Sequence, residues 1–169
     1  FELARTGRPG PVVIDIPKDI QNWEGEFRGS GSLPLPGYRR RLRAVVENRL
    51  GDDACERFYK MLAESERPLI YAGGGVINGN AAKSMRRLAS EYGIPVTTTL
   101  MALGASDTQH PLALHMLGMH GIASANYAVE DCDFLIAVGA RFDDRVAGDP
   151  GNFAPNARNV GHFDVDSAE

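Results

Sequence analysis

Phe134-Leu-Ile-Ala-Val138 runs straight into Gly139-Ala-Arg-Phe-Asp-Asp-Arg145. Five consecutive apolar residues with no polar position read as a buried strand. Working outward, Pro68-Leu-Ile-Tyr-Ala72 is a second short apolar strand, and it ends in Gly73-Gly-Gly75. Ile94-Pro-Val-Thr-Thr-Thr99 is β-branched and strand-like, and residues 160–165 supply another strand. Helical patterns lie between them. Residues 52–66 carry Cys55, Phe58, Met61 and Leu62 at helical spacing, and residues 81–92 place Met85, Leu88 and Ala89 on one side. Gly93 stands where a helix C-cap wants a residue tolerant of positive φ. Residues 110–131 read as helical in parts, interrupted by Gly118 and Gly121. Strands alternating with helices across short loops mean an α/β fold. The expectation is a Rossmann-like doubly wound parallel sheet of about six strands with helices on both faces, beginning near residue 40.

The chain has 169 residues, 43% hydrophobic and 24% charged, ordinary values for a globular protein able to bury a core of its own. Eighteen Lys and Arg against 22 Asp and Glu leave a net charge of −4, which argues against nucleic-acid binding through bulk positive charge. Cys55 and Cys132 are too few for a disulfide framework and fit a reduced, cytoplasmic setting. No apolar run approaches the roughly 20 residues of a membrane span, and Phe1-Glu-Leu-Ala-Arg5 is no signal peptide. The chain reads as a piece of something longer.

The amino-terminal part has a different texture. Gly7-Arg-Pro-Gly10 forces a turn, and Pro11-Val-Val-Ile-Asp-Ile-Pro17 is an apolar strand bounded by prolines. Gly25, Gly29, Gly31, Gly37, Pro34 and Pro36 make residues 21–37 a linker by composition. Residues 1–20 therefore read as the tail of a preceding domain, and residues 38–169 as the main one. The segment 12–16, cut off from its own sheet, is expected to be disordered or paired with another chain.

Three places could carry chemistry. Gly73-Gly-Gly75 follows a strand, where glycines let a phosphate approach the backbone and helix amides favour its charge. The spacing is not a full G-x-G-x-x-G, and a tight strand-to-helix turn explains it equally. Gly139-Ala-Arg-Phe-Asp-Asp-Arg145 also lies beyond a strand, and its arginines can bind phosphate or pair with its aspartates. Asp164-Val-Asp166 ends a strand where an acid can meet a ribose, or simply face solvent. His110, His115 and His120 stand five apart, about 140° around a helix, so they do not share a face as zinc ligands would; no metal site is expected. The run Arg39-Arg-Arg-Leu-Arg43 reads as a solvated segment, and the two cysteines as unreactive thiols. Neither a G-x-S-x-G elbow nor a Walker A sequence occurs. Local chemistry points to nucleotide binding and identifies no catalyst.

Taken in order, Gly7-Arg-Pro-Gly-Pro-Val-Val-Ile-Asp-Ile-Pro-Lys-Asp19, Tyr71-Ala-Gly-Gly-Gly75, Thr98-Thr-Leu-Met-Ala-Leu-Gly104, Leu114-His-Met-Leu-Gly-Met-His-Gly121, Asn126-Tyr-Ala-Val129 and Gly139-Ala-Arg-Phe-Asp-Asp-Arg-Val146 resemble the catalytic subunits of acetohydroxyacid (acetolactate) synthases. The similarity runs over nearly the whole chain and is thinnest at residues 21–66. It implies a three-domain, thiamine-diphosphate-dependent parent with this piece as its central, FAD-binding domain. The resemblance assigns Arg8, Gly73, Gly74, Gly75, Thr99, Leu100, Leu117, Gly118, Met119, His120, Gly139, Arg141, Asp143, Arg145, Val146, Asp164 and Val165 to the flavin nucleotide. It assigns Lys18, Met119, Asp144 and Arg145 to the channel through which substrate enters.

In the parent so implied, pyruvate condenses with a second 2-oxo acid, with loss of carbon dioxide, to make precursors of branched-chain amino acids. The FAD is structural. Thiamine diphosphate and Mg2+ belong to the missing amino- and carboxyl-terminal domains, so this piece is expected to be inactive alone and to hold FAD weakly or not at all. The family also implies a homo-oligomer with a regulatory small subunit, in the cytoplasm or, in a plant or alga, the plastid. The rivals are the central domain of a related carboligase such as glyoxylate carboligase, and a Rossmann-like interaction module without a ligand.

Overall fold

Leu69 and Tyr71 face one way and Ile70 and Ala72 the other, the period-two alternation that any strand imposes. All four are buried. A strand with two covered faces belongs at the centre of a sheet with layers on both sides. The computed structural model, which describes residues 2–5, 7–26, 28, 29, 37, 40, 43 and 50–166, has that arrangement. It divides the chain into two units, Phe1–Arg49 and Leu50–Glu169.

In the first unit, one-turn helices α1 (Glu2–Arg5) and α2 (Lys18–Gln21) flank an extended run. Residues 11–17 lie outside any strand ladder, with Val13 89% and Ile14 80% exposed. Much of the glycine–proline linker and most of residues 38–49, which hold the basic run and the expected start of the main domain, lie outside the described residues.

The second unit runs α3 (Asp52–Glu64), β1 (Pro68–Ala72), α4 (Gly74–Asn78), α5 (Ala82–Tyr92), β2 (Val96–Thr98), β3 (Ala113–Met116), α6 (Ala123–Asp131), β4 (Phe134–Val138) and β5 (Asn159–Phe163). The sheet order is β3-β2-β1-β4-β5, and every pairing is parallel. Five strands are described where the sequence leads one to expect about six. The chain leaves β1 toward β2 on one side and later returns to β4 on the other, so the strand order reverses between β1 and β4.

Each face of the sheet has its own core. Phe58 and Leu62 of α3, Val76 of α4, and Met85 and Ala89 of α5 pack with Ile70, Val96, Phe134 and Ile136. Opposite them, Leu117, Ala125 and Val129 pack with Leu69, Tyr71, Leu135 and Ala137. The second face is covered by α6 together with the long loop after β4, whose Phe142 and Phe153 join Tyr71 in mutual edge-to-face contacts. Helix α5 ends as expected. Gly93 adopts φ +67°, and the amides of Gly93 and Ile94 both bond to the carbonyl of Ala89, a left-handed cap of the Schellman type.

One segment departs from the sequence reading. Residues 113–116, read as part of a broken helix, form the edge strand β3. The register of β2 on β3 slips between Val96 and Thr97, and His115 sits at φ +60°. A four-residue, bulged edge strand shows no clean alternation, so its period is lost among the neighbouring helical spacings.

Candidate functional site

Loops after four parallel strands meet at the carboxyl end of the sheet, on both sides of the switch between β1 and β4. Gly73 and Gly75 lie against the start of the β4 loop. A Cβ on Gly73 would stand 2.1 Å from the carbonyl oxygen of Gly139, and one on Gly75 would stand 2.6 Å from the Cα of Gly139. The chain's own packing therefore requires both glycines. Helix α4 has only five residues. The amide of Gly75 already bonds to the Gly139 carbonyl at 2.9 Å, and that of Val76 to the Gly73 carbonyl at 3.0 Å. Of the two sequence readings of this loop, these bonds and contacts are those of a tight strand-to-helix turn. Gly74 faces Met101, next to Leu100, on the turn that follows β2.

A second pair of loops interlocks nearby. Gly118, at φ +90°, leaves no room for a side chain against the Arg145 carbonyl, 2.7 Å from where a Cβ would sit. The Met119 amide bonds to that same carbonyl at 3.0 Å. Asn126 of α6 fixes Gly118 from behind, accepting from its amide at 2.8 Å and donating to its carbonyl at 3.2 Å. Gly118, Met119, Asn126, Asp144, Arg145 and Val146 line part of an open cleft of about 360 Å³. Sequence reasoning did not single out Asn126 as a site residue; its place within Asn126-Tyr-Ala-Val129, eight residues after Gly118, is the signal it left.

Arg141 and Asp143 approach to 3.7 Å, as do Arg145 and Asp144. These pairs are substantially exposed, so solvent screens them and the arginines stay available to an anion. Polar atoms inside the rim are unpaired. The hydroxyls of Thr98 and Thr99 and the Oδ1 of Asp143 are buried without a hydrogen-bond partner. Thr97, one residue earlier, satisfies its hydroxyl on the His115 carbonyl at 2.9 Å. Buried oxygens are rarely left this way. All three stand at the carboxyl ends of the central strands or on the β4 loop, where ligands of doubly wound sheets gather.

The remaining expected residues are placed as follows. Leu117 and Gly118 are buried, while Leu100, Met119 and His120 are exposed beside them. Asp164, just beyond β5, lies with its Oδ2 at 3.8 Å from His162 and its Oδ1 accepting from the Asp166 amide at 2.9 Å. Val165 beside it is 44% exposed. Arg8 and Lys18 are exposed residues of the first unit. Cys132 caps the carboxyl end of α6 and is buried. Burial, with the neighbouring Asp133 charge adding to it, pushes its thiol up to about 11, so it stays protonated and unreactive. Cys55 is half-buried on α3.

The fold is that of a doubly wound parallel domain whose strand order switches between β1 and β4, with an open cleft beside it between α6 and the β4 loop. The chain belongs to the family described as the central domain of thiamine pyrophosphate enzymes, which it matches over residues 55–169. It is 50% identical over 172 residues to a probable acetolactate synthase large subunit of Methanocaldococcus jannaschii, covering 100% of this chain and 28% of that protein. It is 47% identical over 169 residues to an acetolactate synthase large subunit of Corynebacterium glutamicum, again across 100% of this chain and 26% of the relative. To the chloroplastic acetolactate synthase of Arabidopsis thaliana it is 46% identical over 175 residues, 100% of this chain and 24% of that protein. The chain thus spans about a quarter of the length of these curated relatives. Among the described residues no helix is long and apolar enough to cross a membrane.

Proposed function

We propose that this chain is the FAD-binding central domain of an acetolactate synthase catalytic subunit. The observation that carries the binding part is the set of buried, unpartnered oxygens on Thr98, Thr99 and Asp143, set beside the exposed arginines 141 and 145. That donor set suits FAD. A diphosphate takes charge-assisted bonds from guanidinium groups, and ribityl or ribose hydroxyls can donate to a carboxylate and accept from threonine. Leu100, Leu117, Met119 and His120 would border the flavin beside Gly73, Gly74, Gly75 and Thr99. Gly118, Gly139 and Val146, which are close-packed among these loops, are proposed to border the same ligand, and Asp164 with Val165 would meet the adenosine end. Arg8 is proposed for the same ligand, and Lys18, Met119, Asp144 and Arg145 for substrate entry.

Thiamine diphosphate with Mg2+, held outside this segment, would supply the chemistry that joins two 2-oxo acids with loss of carbon dioxide. This chain's residues position the flavin nucleotide and the channel, and no carboligation is expected from the piece alone. The names of the relatives support the reading, as does their greater length. A homo-oligomer with a small regulatory subunit, in the cytoplasm or a plastid, completes the proposal. The test is a fluorescence titration of FAD with the purified chain. Of weak and absent binding, weak binding is the one proposed, because the buried oxygens and the arginines lie within this chain. Weak, saturable quenching supports the assignment, and no quenching at any attainable protein concentration sinks it.

A further inference from the structure

The register of the sheet places Tyr71, Ala137 and His162 in one row across β1, β4 and β5. The methyl of Ala137 leaves a gap between two rings, and Phe142 of the returning β4 loop fills it. Its ring stands edge-on to Tyr71 at 5.7 Å and to His162 at 5.2 Å. The polar tips of the same row hold the loop's backbone. The Tyr71 hydroxyl donates to the Arg141 carbonyl at 2.6 Å, and His162 Nε2 lies 2.9 Å from the Ala140 carbonyl. A carbonyl only accepts, so His162 carries a proton on Nε2. The Asp164 carboxylate lies 3.8 Å from the same nitrogen. Burial raises the Tyr71 phenol well above its ordinary value, with Asp143 adding and Arg141 opposing, so its hydroxyl remains a donor.

No peptide bond among the described residues is cis. In a trans peptide the N–H points opposite to the C=O, so the amides of Arg141 and Phe142 are turned away from the two grips. We propose that Tyr71 and His162 are positioning residues that clamp the peptide units of residues 140–142, seating Phe142 and presenting Arg141 with two backbone amides to an anionic group such as a diphosphate. The ligand part rests on the flavin reading above; the clamp does not.

Two readouts test it. Tyr71→Phe removes one hydroxyl and keeps the ring, and His162→Phe removes the second donor and keeps a ring. His162→Gln retains an N–H donor and is the rescue. The amides of Val146 and Ala147 bond to the Asp143 carbonyl at 3.0 and 2.8 Å, and that of Met119 bonds to the Arg145 carbonyl. In both Tyr71→Phe and His162→Phe these amides should exchange hydrogen about fivefold faster or more, while β1 and β4 amides keep their rates and His162→Gln stays near wild type. FAD should bind Tyr71→Phe and His162→Phe about fivefold more weakly or worse. Unchanged loop exchange overturns the clamp, as does acceleration spread equally over β1 and β4. Faster loop exchange with wild-type FAD affinity overturns the presenting role. If the wild-type chain binds no FAD, the flavin reading falls, and exchange still decides the clamp.

Discussion

Asp133, 5% exposed, collects donors from two loops at the amino end of β4. Its carboxylate accepts from the Ser65 hydroxyl, from the Glu66 amide at 2.9 Å and from the Arg67 amide at 3.0 Å. Its backbone bonds to the Arg67 carbonyl and to the amides of Arg158 and Asn159. Burial by itself would raise the carboxyl, but those three donors and the Arg158 charge outweigh it and hold the group at about 2. Because the folded value lies below the ordinary 3.8, the stabilisation is complete above about pH 4 and is lost as pH falls through about 2. Asp133→Asn should lower stability by about 2 kcal/mol near neutral pH, and the gap in melting temperature from wild type should narrow from pH 5 to pH 2. A gap constant with pH would remove the charge from this account. Nothing in the sequence marked Asp133, because a single acid before a strand reads as a boundary residue until the distant loop that it caps is known.

Helices and central strands were legible in their residues, since each carries its periodicity within itself. Phe58, Met61 and Leu62 recur at helical spacing, and Gly93 announces a left-handed cap. Gly93 has open space where a Cβ would go, so Gly93→Ala should cost only the conformational penalty, about 1 kcal/mol. Gly73→Ala is different, because its Cβ would meet backbone of Gly139 and Ala140 within 2.4 Å. It should cost about 3 kcal/mol or more, since neither loop can yield without disturbing the switch point. Urea unfolding of the two variants checks the contrast, and equal losses would refute it. The edge strand β3 was not legible, because its bulge and the positive φ of His115 arise from pairing with β2 and leave no local pattern.

At the scale of the molecule, Gly73 to Gly75, residues 139–145 and Asp164 could be singled out as candidates because each follows a strand legible in its own residues, where a parallel sheet delivers its ligand contacts. Thr99, Leu100 and Leu117 to His120 came only with the family resemblance, and Thr98 was not singled out. Their division of labour was not legible. That Gly73 and Gly75 serve loop packing, and that Thr98, Thr99 and Asp143 are left with unpaired oxygens, depends on contacts between loops far apart in the chain. The flavin nucleotide is proposed to lie along the carboxyl end of this sheet with Arg141 at its diphosphate. An isolated chain keeps only part of a site closed by further domains, so its binding should be weak. The direct measurement is a parallel fluorescence titration of FAD with the wild-type chain and with Arg141→Ala. Saturable binding by wild type, weakened about tenfold or more in Arg141→Ala through loss of a charge-assisted bond, is the expected result. Equal binding by both proteins, or binding by neither, would contradict it.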